Sequence, residues 1–271
     1  MVRALAVAGA LVLIACRDGG DWQRPAGAPA PEPSAAPVAV PTSSPTLQSA
    51  ELPVPAAEPA EPPPTAPVVR VEEVAVAGDL PALVVRGVGD RHLKMLFLPG
   101  MCAHAGVYAE SFPQTAASRG DLVVLQGDIS CGGDGAARKW SSDLEVMDRR
   151  VDAAFRAAGL GEPRNVVVIG YSQGAERGER LVSRWPEKYD RAVLVASPVK
   201  PSARNLGRAR AVVLMAGTRD GGTGLMQAAV TPLKRAAVAT TFVELPGARH
   251  GEMGEDPEQT MDAALDFVDV P

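Results

Sequence analysis

The chain is short of histidine. It has three, His92, His104 and His250, so any chemistry that needs an imidazole must draw on one of these. Cysteine is equally scarce, at Cys16, Cys102 and Cys131. A strong charge of one sign is missing. A formal net charge of -5 over 271 residues gives no electrostatic footing for nucleic-acid binding, which needs a basic face. A membrane-spanning run is missing at the N-terminus as well: the apolar stretch from Ala4 to Ala15 falls short of the roughly 20 residues that a helix needs to cross a bilayer. No internal repeat is present, which argues against repeat architectures.

What the N-terminus does have is a single positive charge, Arg3, followed by that short apolar run. This is the pattern of a secretory signal peptide over residues 1–15. The run ends Leu13-Ile14-Ala15-Cys16, which resembles the lipobox of bacterial lipoproteins. The resemblance implies cleavage before Cys16, lipidation of that cysteine, and a protein exported and anchored to a bacterial membrane by its acyl chains. Of the 25 prolines, 14 lie between Pro25 and Pro67. A tract so rich in proline and alanine buries too little surface to offset the entropy of ordering. Residues 16–67 are therefore expected to be a disordered, semi-stiff spacer behind the lipidated cysteine, leaving residues 68–271 as one domain.

From Val68 the texture changes. Val68–Val76 and Leu80–Arg86 are short β-branched runs around Ala77-Gly78-Asp79, a hairpin signature. Apolar runs at Lys94–Leu98, Asp121–Leu125, Asn165–Ile169, Ala192–Ala196, Ala211–Ala216 and Thr241–Leu245 predict six more strands. Helical segments are expected at Tyr108–Ser118, at Ser141–Ala158 with Ser142 as N-cap, and at Gly174–Arg184. Others are expected at Ala203–Arg208, Leu225–Ala237 and Pro257–Val268. The alternation predicts an α/β domain. Its sheet has eight mostly parallel strands, with helices on both faces. In such sheets the ligand crevice lies beyond the carboxyl ends of the strands, so chemistry is sought in the turns that follow them.

One of those turns stands out. The strand NVVVI runs into Gly170-Tyr171-Ser172-Gln173-Gly174, and a helix-compatible segment follows. This G-x-S-x-G in a strand–turn–helix context resembles the nucleophile turn of the α/β-hydrolase superfamily, across roughly residues 68–270. The Gly-Tyr-Ser-Gln-Gly form is similar to that of cutinases and small carboxylesterases. The resemblance implies Ser172 as nucleophile, exposed on a strained turn at a helix N-terminus. A serine hydroxyl needs a base. His92 precedes its strand and belongs to the wrong end of the sheet, and His104 lies near the expected oxyanion loop. His250, after the last strand, matches the superfamily's base. Asp220, in Gly217-Thr218-Arg219-Asp220 one strand earlier, matches the acid that orients it. The preceding strand ends in Ser197-Pro198 and offers no acid.

The resemblance further implies an oxyanion hole formed by the N–H groups of Gln173 and Met101, with Pro99 standing where many relatives have histidine. If Cys16 is lipidated, Cys102 and Cys131 remain as an expected disulfide that staples the oxyanion loop to its neighbour; two buried thiols are the alternative. No spacing supports a metal site, and Gly132-Gly133-Asp134-Gly135 lacks the Lys-Ser ending of a phosphate loop, so no cofactor is expected. That glycine stretch is expected to be a mobile loop edging the crevice. The connection from Ser197 to Arg210 has no room for a cap domain, so the crevice should be open, with Tyr108, Trp140 and Tyr171 as lining or packing residues. The expected activity is ester hydrolysis through an acyl-enzyme, with thioesters, amides and peptides open as substrates of the same mechanism. The substrate would be a small-molecule, lipid or polymer ester, and the partner a membrane rather than nucleic acid. The rival is an inactive hydrolase-shaped lipoprotein that binds a ligand or protein.

Overall fold

A computed structural model of the chain describes residues 69–133 and 135–269. The expected signal peptide, the acylated Cys16 and the spacer lie outside the described residues.

The domain begins with the hairpin strands β1 (Val71–Val74) and β2 (Ala82–Val85), then β3 (Leu93–Leu98). Two short helices follow, α1 (Ala105–Ala109) and α2 (Pro113–Arg119), where the sequence predicts one over Tyr108–Ser118. The break has a simple cause: Pro113 has no N–H to continue a helix and sits well at the first position of a new one. Next come β4 (Gly120–Val124) and a small hairpin of β5 (Ile129–Ser130) and β6 (Arg138–Lys139). Helix α3 (Leu144–Ala157) is capped by Asp143, whose side chain accepts from the Val146 N–H, rather than by Ser142. The remaining elements are β7 (Val167–Tyr171), α4 (Gln173–Arg184), β8 (Arg191–Val195), α5 (Ala203–Leu206), β9 (Ala211–Gly217), α6 (Thr223–Arg235), β10 (Ala239–Leu245) and α7 (Pro257–Val268).

The large sheet has eight strands in the order β1-β2-β4-β3-β7-β8-β9-β10. The hairpin strand β2 pairs antiparallel with β4, and every pairing from β4 to β10 is parallel. The central strands are buried on both faces, which is why they read as unbroken apolar runs rather than as alternating ones. Leu96, Leu98, Val168, Leu194 and Leu214 face a cluster that includes Phe155 of α3, Leu181 of α4 and Leu233 of α6. The intervening Phe97, Ile169, Val193 and Met215 face Phe112, Ala116 and Leu265 on the other side. Each such buried side chain contributes roughly 2 kcal/mol through loss of apolar surface to water.

Register is what prepares the site. Leu98 pairs with Gly170, Tyr171 with Val195, Val195 with Met215, and Gly217 with Leu245. The parallel strands thus end level, and the turns after β3, β7, β9 and β10 open onto one edge.

Candidate active site

Ser172 sits between the last residue of β7 and the first of α4, with φ 51° and ψ -114°. Positive φ is costly for a residue with a Cβ, on the order of 1–3 kcal/mol, and persists only where the surroundings enforce it. Here they do. The Ser172 N–H donates to the Val195 carbonyl at 2.8 Å, and the Ser172 carbonyl accepts from the Ala175 and Glu176 amides. The flanking glycines have a steric reason. A Cβ on Gly170 would lie 2.4 Å from the Gly174 carbonyl oxygen, and one on Gly174 would lie 1.9 Å from that of Leu98. Only glycine lets strand, turn and helix approach this closely.

Three side chains far apart in sequence meet at this turn. His250 Nε2 lies 2.9 Å from Ser172 Oγ, and His250 Nδ1 lies 2.8 Å from Asp220 Oδ2. An ionised carboxylate can only accept, so Nδ1 carries the proton and Nε2 is left as an acceptor for the serine hydroxyl. Asp220 is fixed by its own turn after β9: its N–H donates to the Gly217 carbonyl, and its Oδ1 accepts from the Gly222 N–H at 2.7 Å. Its side chain is 4% exposed, whereas that of His250 is 52% exposed. The imidazole is thus anchored on a buried carboxylate and open to solvent on its other side. In this arrangement an alcohol can pass its proton to an imidazole as it attacks an electrophile.

The loop carrying His250 is tied down by hydrogen bonds. The Ala248 carbonyl accepts from the Arg219 N–H at 2.9 Å, the Arg249 N–H donates to Glu252 Oε2 at 2.8 Å, and the Gly251 N–H donates to the Tyr171 hydroxyl at 2.7 Å. Burial pushes the Tyr171 phenol well above its ordinary range, despite the stabilising Gly251 bond, so it stays neutral.

Across the nucleophile, the turn after β3 runs beside Ser172. A Cβ on Gly100 would lie 3.4 Å from the Ser172 Cβ. Cys102 and Cys131 form a disulfide with a Cα–Cα distance of 5.6 Å, which fastens this turn to the β5–β6 hairpin. The Arg138 N–H donates to the Ala103 carbonyl, and the buried Trp140 donates from Nε1 to the Pro99 carbonyl at 2.7 Å. The side chain of Gln173 closes the circuit: its Oε1 accepts from the Trp140 N–H at 2.9 Å and its Nε2 donates to the Trp140 carbonyl at 3.3 Å. Asp128 accepts from the Ser141 N–H at 2.8 Å. Burial works against its charge, yet the Ser141 hydroxyl and amide, with Arg150 nearby, hold the carboxyl below its usual range. Among the described residues neither the Met101 nor the Gln173 amide donates a hydrogen bond to the protein.

The sequence-predicted residues therefore fall into distinct groups. Ser172, Asp220 and His250 are in contact. Met101 lies in the turn after β3, and Gln173 directly follows Ser172 as the first residue of α4. His104 precedes α1, makes no side-chain cap and stays exposed. Gly132, Gly133 and Gly135 lie between β5 and β6, where the Cys131 N–H bonds to the Ala137 carbonyl and the Gly135 N–H to that of Gly132. Tyr108, Trp140 and Tyr171 are packing residues, each buried. Sequence reasoning missed the Gln173–Trp140–Pro99 linkage and the grip of Tyr171 on the histidine loop. Their only signal was the identity of the two variable positions in Gly170-Tyr171-Ser172-Gln173-Gly174.

Neither a protein-family model nor a curated protein matches the chain. Solved structures do. A 2-hydroxy-6-oxo-6-phenylhexa-2,4-dienoate hydrolase from Rhodococcus sp. is 14% identical with a TM-score of 0.56, covering 75% of this chain and 100% of its own. A predicted hydrolase from Thermoplasma acidophilum is 16% identical with a TM-score of 0.55, covering 74% of this chain and 98% of its own. A fluorophosphonate-binding serine hydrolase from Staphylococcus aureus is 13% identical with a TM-score of 0.52, covering 75% of this chain and 98% of its own. The chain has the α/β-hydrolase fold. Identities this low establish the architecture and leave the chemistry to the site itself. Within the α/β-hydrolase fold, this chain joins β8 to β9 through α5 alone, a helix of four residues.

Proposed function

We propose that the protein is a serine hydrolase that cleaves carboxylic ester-type bonds through an acyl-enzyme. The observation that carries this reading is the unbroken relay from Asp220 through His250 to Ser172, at 2.8 and 2.9 Å. Ser172 Oγ attacks the carbonyl carbon while its proton passes to His250 Nε2, and Asp220 stabilises the resulting imidazolium. The oxyanion is received by the N–H groups of Met101 and Gln173. Collapse expels the alcohol, which takes the proton from His250. Water, deprotonated by His250 in turn, then releases the acid from Ser172.

An ester with an accessible carbonyl suits a site whose base is half exposed and in contact with Ser172. The reading extends to the N-terminus: residues 1–15 direct export, acylated Cys16 holds the protein at a bacterial membrane, and the proline-rich segment to residue 67 acts as a stalk. The test is hydrolysis of nitrophenyl esters of increasing chain length, with a matching amide for comparison. Wild type is expected to turn over the esters, and Ser172→Ala to lose at least about 10⁴-fold in kcat. Equal, background-level rates for both proteins would instead favour a binding protein of hydrolase shape.

A further inference from the structure

Tyr171 stands immediately before the nucleophile and is buried. Its phenol reaches away from Ser172 to the loop that carries His250. There it makes two bonds with consecutive residues after the histidine: it accepts from the Gly251 N–H at 2.7 Å and donates to the Glu252 carbonyl at 3.3 Å. Its ring meets the imidazole edge-on, with centroids 5.8 Å apart. On its other side the ring packs against Tyr108 of α1 at 5.1 Å, and Tyr108 stacks on Phe97 of β3 at 5.2 Å. A Cβ on Gly100 would lie 3.6 Å from Tyr171 Cδ1, so the turn after β3 also rests on this ring.

One side chain therefore touches both loops that flank the nucleophile, from the strand that bears the nucleophile. We infer that Tyr171 is a positioning residue whose hydroxyl fixes the His250 loop, and thereby the Nε2–Oγ distance. Its ring independently sets the seat of the turn after β3. The inference rests on the reading of His250 as the base of Ser172. Its physical basis is the exposure of the imidazole, which a carboxylate anchors on one side. His250 is half exposed, and its only side-chain hydrogen-bond partners among the described residues are Asp220 and Ser172, so the orientation of its backbone must come from the loop. A phenol that remains neutral keeps both its donor and its acceptor function throughout the working pH range.

Tyr171→Phe removes the hydroxyl and keeps the ring. The full-length variant is expected to show kcat lowered roughly tenfold, within the scale of the hydroxyl's two neutral hydrogen bonds, with KM unchanged and the thermal midpoint within a few degrees of wild type. The decisive readout is amide hydrogen exchange: the Gly251 amide and its neighbours should exchange faster, while the amides of β7 and α4 stay protected. An unchanged kcat overturns the inference. So does a lower kcat with unaltered exchange around Gly251, because the hydroxyl would then act by another route. A lower kcat accompanied by general loss of protection and a collapsed midpoint overturns it too, by making Tyr171 merely structural. His250→Ala is the control that separates the two levels. If it retains full esterase activity, the reading of His250 as base fails. If it is inactive while Tyr171→Phe behaves as wild type, only the positioning role fails.

Discussion

The two loops that flank Ser172 are held by different means. The turn after β3, with Met101, is stapled covalently through Cys102–Cys131 and further pinned by Trp140 and the Arg138–Ala103 bridge. The loop after β10, with His250, has no covalent tie among the described residues: it is held by hydrogen bonds with Tyr171, Thr218, Arg219 and Asp220 and by the edge-on contact of Tyr171 with the imidazole. On the proposed mechanism the difference matches what each loop must deliver. An oxyanion donor is a backbone N–H, with no side-chain torsions to adjust its aim, so its peptide must be set rigidly. An imidazole transfers a proton between two partners and is steered by its side chain, so a carboxylate and a loop clamp are enough.

Changes on the two sides should therefore have different signatures. The largest effect is expected at the carboxylate: Asp220→Asn keeps the shape but favours the wrong histidine tautomer, and kcat should fall about 10³–10⁴-fold. Steady-state kinetics across pH would check this, and a loss under tenfold would mean that His250 does not depend on Asp220. Next comes the covalent side. Replacing Cys102 and Cys131 together by serine should lower kcat about 10–100-fold with KM nearly unchanged, since displacing a donor costs less than removing one. It should also cost about 3 kcal/mol of stability by freeing the unfolded chain. Kinetics well below the thermal midpoint, with denaturant titration alongside, separates the two effects; an unchanged kcat would detach the staple from the oxyanion site. Smallest is the Tyr171→Phe effect described above, because only the two hydrogen bonds of one neutral hydroxyl to an exposed loop are at stake.

Much of this was legible in the sequence, and unevenly so. The parallel strands could be read because burial on both faces leaves unbroken apolar runs such as NVVVI and AVVLMA. Ser172, Asp220 and His250 could be placed because each follows a strand end, and level register brings strand ends together. The β5–β6 hairpin was invisible: its strands are two residues long, too short to show any periodicity. The split between α1 and α2 was missed although Pro113 marks it. The clamps through Gln173, Trp140 and Tyr171 were beyond reach for another reason. Each is a side-chain bond to a distant backbone atom, and no local pattern specifies which carbonyl or amide will be nearby.

The central claim is that Ser172 is an activated nucleophile, and covalent trapping tests it most directly. The protein would be treated with a fluorophosphonate and the adduct located by peptide mass mapping. The account predicts a single adduct on Ser172, formed at least about 100-fold more slowly in His250→Ala. A protein that hydrolyses esters while Ser172 remains unmodified would contradict it.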